Sequence, residues 1–347
     1  MAHGPPSTSA LKELHQMKYF VTGATGFIGG NLARQLVKAG HEVRTPVRTP
    51  GKAQDLIDLG IQVCQGDITD KESMRAPMAN VDGVFHVAAW YKIGARDKSQ
   101  AERINVQGTR NVLELMKELG VARGVYTSTV AIFSDTHGRA VDETYRFDGK
   151  PLTEYDRVKW LAHYEVAEPM IKQGLPLVIV LPGLNYGPGD TSLVRKTLNQ
   201  YLRGRLPMLP QKTAFCWAHV EDTARGHILA MEKGKPGESY ILAGPAHTMI
   251  EALDMAERIT GIPAPRIHTT PGMMRLMSSL MGVVETILPL PEVYTAEALR
   301  SFAGVTYLGS SEKARRELGY TVRPLEEGLR ETLLHEMKLL GLEPKRG

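Results

Sequence analysis

The segment Thr22-Gly23-Ala24-Thr25-Gly26-Phe27-Ile28-Gly29 constrains the fold of this chain more than any other. It stands between a short apolar run, Lys18 to Val21, and an amphipathic stretch carrying Leu32, Leu36 and Val37 that ends at Gly40. The order reads as strand, glycine turn, helix. Gly23, Gly26 and Gly29 are spaced for a tight turn that lets backbone N–H groups approach a pyrophosphate and lets the helix lie close on its strand. The positive end of the helix dipole then faces the phosphates. Dinucleotide contacts are therefore expected from Gly23, Thr25, Gly26, Phe27, Ile28 and Gly29.

The alternation continues. Strands are predicted at Glu42–Val47, Gln62–Gln65, Val81–Val87, Gly124–Ser128 and Pro176–Leu181, with helices at Gly51–Leu59, Lys71–Ala79, Ala101–Leu119 and Leu152–Gln173 between them. This spacing implies an α/β chain with a doubly wound parallel sheet of the Rossmann type. After Pro182 the pattern loosens at Gly187-Pro188-Gly189, returns to sheet-like text at Thr213–Val220 and Glu238–Leu242, and then becomes helical and loop-rich. The predicted division is a leader over 1–16, a dinucleotide-binding domain over 17–181 plus 215–244, and a smaller, mostly helical C-terminal substrate lobe over 182–214 plus 245–347.

Composition excludes several other classes. A formal net charge of +4, with basic and acidic residues interleaved, argues against nucleic acid as a partner. Cys64 and Cys216 stand in no CxxC or Cys/His ligand spacing, so no metal site or disulfide framework is expected and a reducing, cytoplasmic setting is. No apolar run reaches the roughly 18 residues of a membrane span.

A site for NAD usually carries an acidic residue about 20 residues beyond the glycines, at the end of the second strand. Here that strand ends Val43-Arg44-Thr45-Pro46-Val47-Arg48. A guanidinium suits a 2′-phosphate, so NADP is expected, with Arg48 as main contact, Arg44 as support and NAD as the alternative. Asp67 and Ile68, just past the third strand, could bracket the adenine. Ala88 and Ala89, past the fourth, are small enough for close approach.

Among the twelve tyrosines only Tyr155 has a lysine, Lys159, four residues later. On a helix the two share a face. The ammonium, together with the oxidised nicotinamide, is expected to favour phenolate and so tune the phenol as an acid/base. The hydroxyls of Ser128 and Thr129 lie at the carboxyl end of the fifth strand, where open α/β sheets bind ligands.

With TGATGFIGG at 22–30, HVAA at 86–89, NVQGTRNVLE at 105–114, YTST at 126–129, YDRVK at 155–159, LPGLNYGPGD at 181–190 and HVEDTARGH at 219–227, the chain resembles extended short-chain dehydrogenases/reductases. The nearest branch holds dihydroflavonol-4-reductase-like reductases and nucleotide-sugar epimerases. The resemblance implies that Thr129, with Ser128 in reserve, holds the substrate oxygen. It implies that Tyr155 is the general acid/base and that Lys159 tunes it and bonds the nicotinamide ribose. It also places Thr127 and Pro182 at the cofactor and implies a homodimer through the helices at 101–119 and 152–173.

Two catalytic readings follow: a carbonyl reductase or alcohol dehydrogenase acting on a small carbonyl or alcohol, and an epimerase that retains NAD and acts on a sugar nucleotide. A dinucleotide-sensing binding protein would lack the Tyr/Lys pair. A 4,6-dehydratase is set aside because Val130 and Ala131 follow the threonine. Trp90 and Tyr186 are candidate substrate contacts, and Tyr91, Phe133 and the methionines at 273–281 could line an apolar pocket. His86, His219 and Asn105 are expected to be structural, and Asp222 to cap the helix that follows it.

Overall fold

The computed structural model describes residues 16–343; the expected leader lies, apart from Gln16, outside the described residues. Seven strands form the central sheet: β1 (Lys18–Thr22), β2 (Glu42–Val47), β3 (Gln62–Gln65), β4 (Gly83–His86), β5 (Gly124–Thr127), β6 (Leu177–Pro182) and β7 (Ser239–Leu242). Their order is β7-β6-β5-β4-β1-β2-β3, every pair parallel. The chain leaves β1 toward β2 on one side and later returns to place β4 on the other. The strand order thus reverses at β1/β4, the position where such sheets bind ligands beyond the carboxyl ends of the strands.

Both faces of the sheet are covered, which is why its central strands are apolar throughout rather than alternating. All six residues of β6 are buried, as are all four of β4 and of β5. On one face lie α1 (Phe27–Lys38) and the helix Val220–Lys233, packed on each other. On the other lie two long rods: α2 is Ser99–Glu102, a π-helical turn at Arg103–Gln107 and Gly108–Glu118, and α3 is Glu154–Leu161, a π-helical turn at Ala162–Ala167 and Glu168–Lys172. A capping box fixes the start of α3: Thr153 Oγ1 accepts from Asp156 N, and the Asp156 carboxylate accepts from Thr153 N.

The lobe carries more sheet than its expected, mostly helical character, including a two-stranded pair of Leu209–Pro210 with His268–Thr269. The strand Ala214–His219, which falls largely within the expected dinucleotide-binding domain, pairs with Leu184–Tyr186, Ala246–Thr248 and Thr306–Tyr307 in a second sheet. All six of its residues are buried. Its neighbours approach closely because they are glycines: a side-chain carbon on Gly244 would fall 1.7 Å from the Trp217 carbonyl oxygen, and one on Gly183 2.3 Å from that of Cys216. Long-range pairing of this kind leaves no periodicity in the sequence to announce which sheet a strand will join.

Candidate active site

A cleft of about 1140 Å³ runs along the carboxyl ends of the strands, from the glycine turn across the switch point to the lobe. Its floor is set by backbone. Gly23 has φ +78°, and a side-chain carbon there would sit 2.7 Å from Ala88 N; one on Gly29 would sit 2.2 Å from Gly23 O. Neither position accepts a side chain, so the turn stays flush with β4. Thr22 Oγ1 accepts from Val87 N and Ala88 N and bonds His86 Nδ1 at 2.8 Å, while His86 Nε2 meets Thr109 Oγ1 at 3.0 Å. Burial holds His86 down to about 3, so it is a neutral strut beneath the cleft, the structural role expected of it.

Thr25, Gly26, Phe27, Ile28, Ala88, Ala89, Asp67 and Ile68 all line the cleft. The first turn of α1 has no side-chain cap and no acidic residue, which leaves its N–H groups free for an anion. Asn111 Nδ2 donates to Ile68 O, and Asp67 Oδ1 accepts from both Thr69 N and Thr69 Oγ1, so the turn after β3 is rigid. Backbone cradle, open helix end and bracketing turn together fit a dinucleotide.

The two arginines of β2 part company. Arg48, just past the strand, is exposed and faces the cleft, together with Lys52, which sequence reasoning missed. Arg44 does not reach it. Its guanidinium bonds Glu42 at 3.1 Å, Gln62 at 3.2 Å and Ala79 O at 3.2 Å, and it is absent from the cleft wall. Position along the strand explains the correction: Arg44 is mid-strand, held by partners on β2, β3 and the end of the helix Lys71–Met78 before the cleft begins, whereas Arg48 lies beyond the strand's carboxyl end.

Tyr155 and Lys159 project from the first turns of α3 toward β5. Lys159 is 2% exposed and donates to Thr127 O at 2.7 Å and to Tyr126 Oη at 3.1 Å. Burial brings its ammonium down to about 7. Burial also pushes the Tyr155 phenol well above its usual range, opposed by a hydrogen bond with the Thr129 side chain. The ammonium directs its donors to Thr127 and Tyr126, and Tyr155 carries its proton. Of the adjacent hydroxyls, Ser128 is committed to His163 Nδ1 at 2.9 Å, whereas Thr129, whose oxygen accepts from Ala131 N, is the one whose side chain lowers the Tyr155 phenol against the effect of burial. Thr127 and Pro182 line the same stretch of the cleft.

At the lobe end the walls become apolar. Trp90 is there as expected, its backbone clasped by Asn105, which accepts from Trp90 N and donates to Trp90 O. Tyr91 adds its ring edge-on to Tyr155, with centroids 4.8 Å apart. Phe215, Trp217, Phe302 and Tyr307 complete the wall; they were missed because they come from lobe strands and a helix end distant in sequence. Tyr186 is not a cleft residue. It is 1% exposed and packs between Trp217, His219 and the α-carbon of Gly328. Phe133 is core against Tyr145, and Met274, Met277 and Met281 pack on Leu299 and Phe302 away from the cleft.

The model of the NAD dependent epimerase/dehydratase family matches residues 19–243. The chain belongs to this family. It is 34% identical, over 90% of its length and 92% of the relative's, to a Synechocystis sp. protein assigned provisionally as a dihydroflavonol 4-reductase. It is 31% identical to the 4-hydroxy-2-methyl-3-oxo-4-farnesyl-3,4-dihydroquinoline-1-oxide ketoreductase of Stigmatella aurantiaca, covering 88% of this chain and 92% of that one. The crystal structure of gox2253 superposes with a TM-score of 0.81 at 30% identity, covering 94% of this chain and 100% of that one. As a member of the epimerase/dehydratase family with reductases among its relatives, the chain is an NAD(P)-dependent oxidoreductase.

Two further residues of this family member need placing. Asp222 does not cap its helix; it lies in the first turn of Val220–Lys233 and accepts from Arg323 N, Nε and Nη2. The ring nitrogens of His219 and the carboxylates of Glu221 and Glu331 come within 4.8 Å of one another, but Arg323 already bridges both carboxylates at 2.9 and 3.0 Å. Among the described residues no helix is long and apolar enough to cross a membrane.

Proposed function

We propose that the chain is an NADP-preferring reductase of a bulky, uncharged ketone, with Tyr155 as proton donor. The observation that carries this reading is the segregation of charge along the cleft. Arg48 and Lys52 lie at the adenosine end, whereas the substrate end sets aromatic side chains among neutral polar ones and two carboxylates, and among the described residues its one exposed cation, Lys92, stands on the rim. A sugar nucleotide brings a diphosphate into the substrate end, where it would meet aromatic walls and the buried carboxylates of Asp156 and Asp190.

Gly23, Gly26 and Gly29 with the start of α1 would hold the pyrophosphate, Arg48 the 2′-phosphate, and Lys159 the nicotinamide ribose. When bound, the dinucleotide supplies the hydride. Tyr155 then gives its phenolic proton to the carbonyl oxygen, which becomes the hydroxyl of a secondary alcohol, while Thr129 holds that oxygen in line. At neutral pH the Tyr155 phenol carries the proton that reduction needs. Trp90 and Tyr91 would shield the reacting carbon from water. A homodimer through α2 and α3 accompanies this reading, and light scattering at micromolar concentration reports it.

The test is NADPH consumption with a panel of ketones graded in size and polarity. Aryl and alicyclic ketones should be reduced, NADPH should outperform NADH, and Tyr155→Phe should abolish turnover while still binding NADPH. Stoichiometric NAD released from denatured protein, with interconversion of UDP-sugars, would replace this reading with the epimerase.

A further inference from the structure

Glu297 is an unusual carboxylate. It lies on the helix Ala296–Ser301 of the lobe, it is 6% exposed, and every bond it makes reaches across to the other side of the cleft. One oxygen, Oε1, accepts from the backbone N–H of Glu154, the first residue of α3 and the neighbour of Tyr155. The other, Oε2, accepts from Gly94 N at 3.1 Å and pairs with Lys98 Nζ at 2.9 Å. Glu297 thus joins three elements: the lobe helix whose end supplies Phe302 to the cleft, the start of the helix that carries Tyr155, and the segment 91–98.

That segment matters to the chemistry. Its first residue, Tyr91, sets its ring edge-on against the Tyr155 ring, and Lys92 and Ile93 continue along the cleft. The segment is seated firmly on the lobe. Gly94 has φ +76°, and a side-chain carbon there would lie 2.1 Å from Thr295 Oγ1 and 2.9 Å from Glu292 O, while Arg96 donates to Glu285 O and Leu288 O. At the other contact, a negative charge at the N-terminus of α3 satisfies an N–H that has no partner within the helix and is favoured by the helix dipole. The Thr153/Asp156 capping box serves the neighbouring N–H groups and leaves that of Glu154 to Glu297.

The geometry points to Glu297 as a positioning residue: a single buried carboxylate that holds the start of the catalytic helix and the Tyr91 segment in one register, so that the lobe sets the orientation of the Tyr155 phenol. Glu297 touches neither substrate nor dinucleotide in this role. It acts through Tyr155 and Tyr91, and the inference rests on the reading of Tyr155 as proton donor. A misplacement of the donor of about 1 Å is enough to slow proton and hydride transfer by roughly 100-fold.

Glu297→Gln preserves size and one acceptor but sets an amide N–H₂ either against Glu154 N–H or against Gly94 N–H and Lys98 together. With NADPH and 2-tetralone as the probe ketone, kcat should fall about 10- to 100-fold. The Kd for NADPH, read from quenching of tryptophan fluorescence, should stay within about twofold and the Tm within a few degrees. The loss should not add to that of Tyr91→Leu, since both act on one element. Unchanged kcat, or full additivity with Tyr91→Leu, overturns the inference. A second arm needs no turnover. In Glu297→Ala, hydrogen exchange at the Gly94 and Glu154 amides should accelerate together, and acceleration at only one of them overturns the coupling. If the wild-type protein leaves 2-tetralone and every other ketone unreduced, the proton-donor reading fails on its own, while the exchange arm still decides whether Glu297 ties the two elements.

Discussion

At the adenosine end of the cleft, recognition is built from backbone and charge: a glycine turn on which no side chain fits, an uncapped helix end, and Arg48 and Lys52 standing free beyond β2. At the lobe end it is built from area, with Trp90, Phe215, Trp217 and Phe302 gathered from three separate stretches of chain. The first end recognises a ligand through a few directional contacts, each charge-assisted bond contributing about 1.5–3 kcal/mol. The second gains roughly 25 cal/mol for each Å² of apolar surface removed from water and has little directional preference. One end can therefore be specific for a single cofactor while the other admits a class of substrates.

The largest expected effect breaks the charged end. Arg48→Ala removes the guanidinium placed for the 2′-phosphate, and kcat/KM with NADPH should fall about 10- to 100-fold, the equivalent of one charge-assisted contact. Efficiency with NADH should hardly change. Equal losses with both dinucleotides would mean that Arg48 shapes the turn and does not read the phosphate.

Where the two ends meet, the response should be to pH. Lys159, lowered by burial to about 7, is cationic below that value and loses its proton above it, whereas the phenol of Tyr155 stays protonated across the same range. Reduction that needs both protons should have a kcat/KM that is level below pH 7 and declines above it, by up to about tenfold per unit. Oxidation of the alcohol, which needs phenolate, should rise with pH. A reductive profile that stays level to pH 9 would show that the charge on Lys159 is not used.

How much of this could be read from the sequence follows the same division. The charged end is local: the glycines, Arg48, Asp67 and Ile68 fall within one strand-turn-helix unit or just after a strand, and spacing alone brings them to the cleft. Tyr155 and Lys159 were legible for the same reason, being one helical turn apart. The apolar end is not local. Phe215 and Trp217 belong to a strand whose choice of sheet depends on close approach at Gly183 and Gly244, and Phe302 follows a helix that nothing in the local pattern ties to the cleft. Tyr186 shows the converse, a residue in a motif-like stretch that tertiary packing takes into the core.

Phe302→Ala tests the apolar end. The ring is partly buried against Phe215, with centroids 6.0 Å apart, and its loss should raise KM for a bulky aryl ketone about 3- to 10-fold, within the range for removing part of a buried aromatic. A small ketone such as cyclohexanone, which cannot reach that wall, should be unaffected. Parallel losses for both would place Phe302 in the scaffold of the lobe and outside the substrate surface.

The smallest expected effect comes from the other arginine of β2. Arg44 and Arg48 stand two pleat repeats apart, yet Arg44 already donates to Glu42, Gln62 and Ala79 O. Its ion pair with Glu42 is only about one-fifth exposed on each side. A partly solvated pair of this kind contributes below about 1 kcal/mol, so Arg44→Ala should lower Tm by a few degrees at most and leave the NADPH/NADH preference within about twofold of wild type. If the preference collapsed as it should in Arg48→Ala, the guanidinium of Arg44 would have to leave three partners to reach the phosphate. The charged end would then be assembled by ligand binding, whereas the glycine cradle beside it is rigid before any ligand arrives.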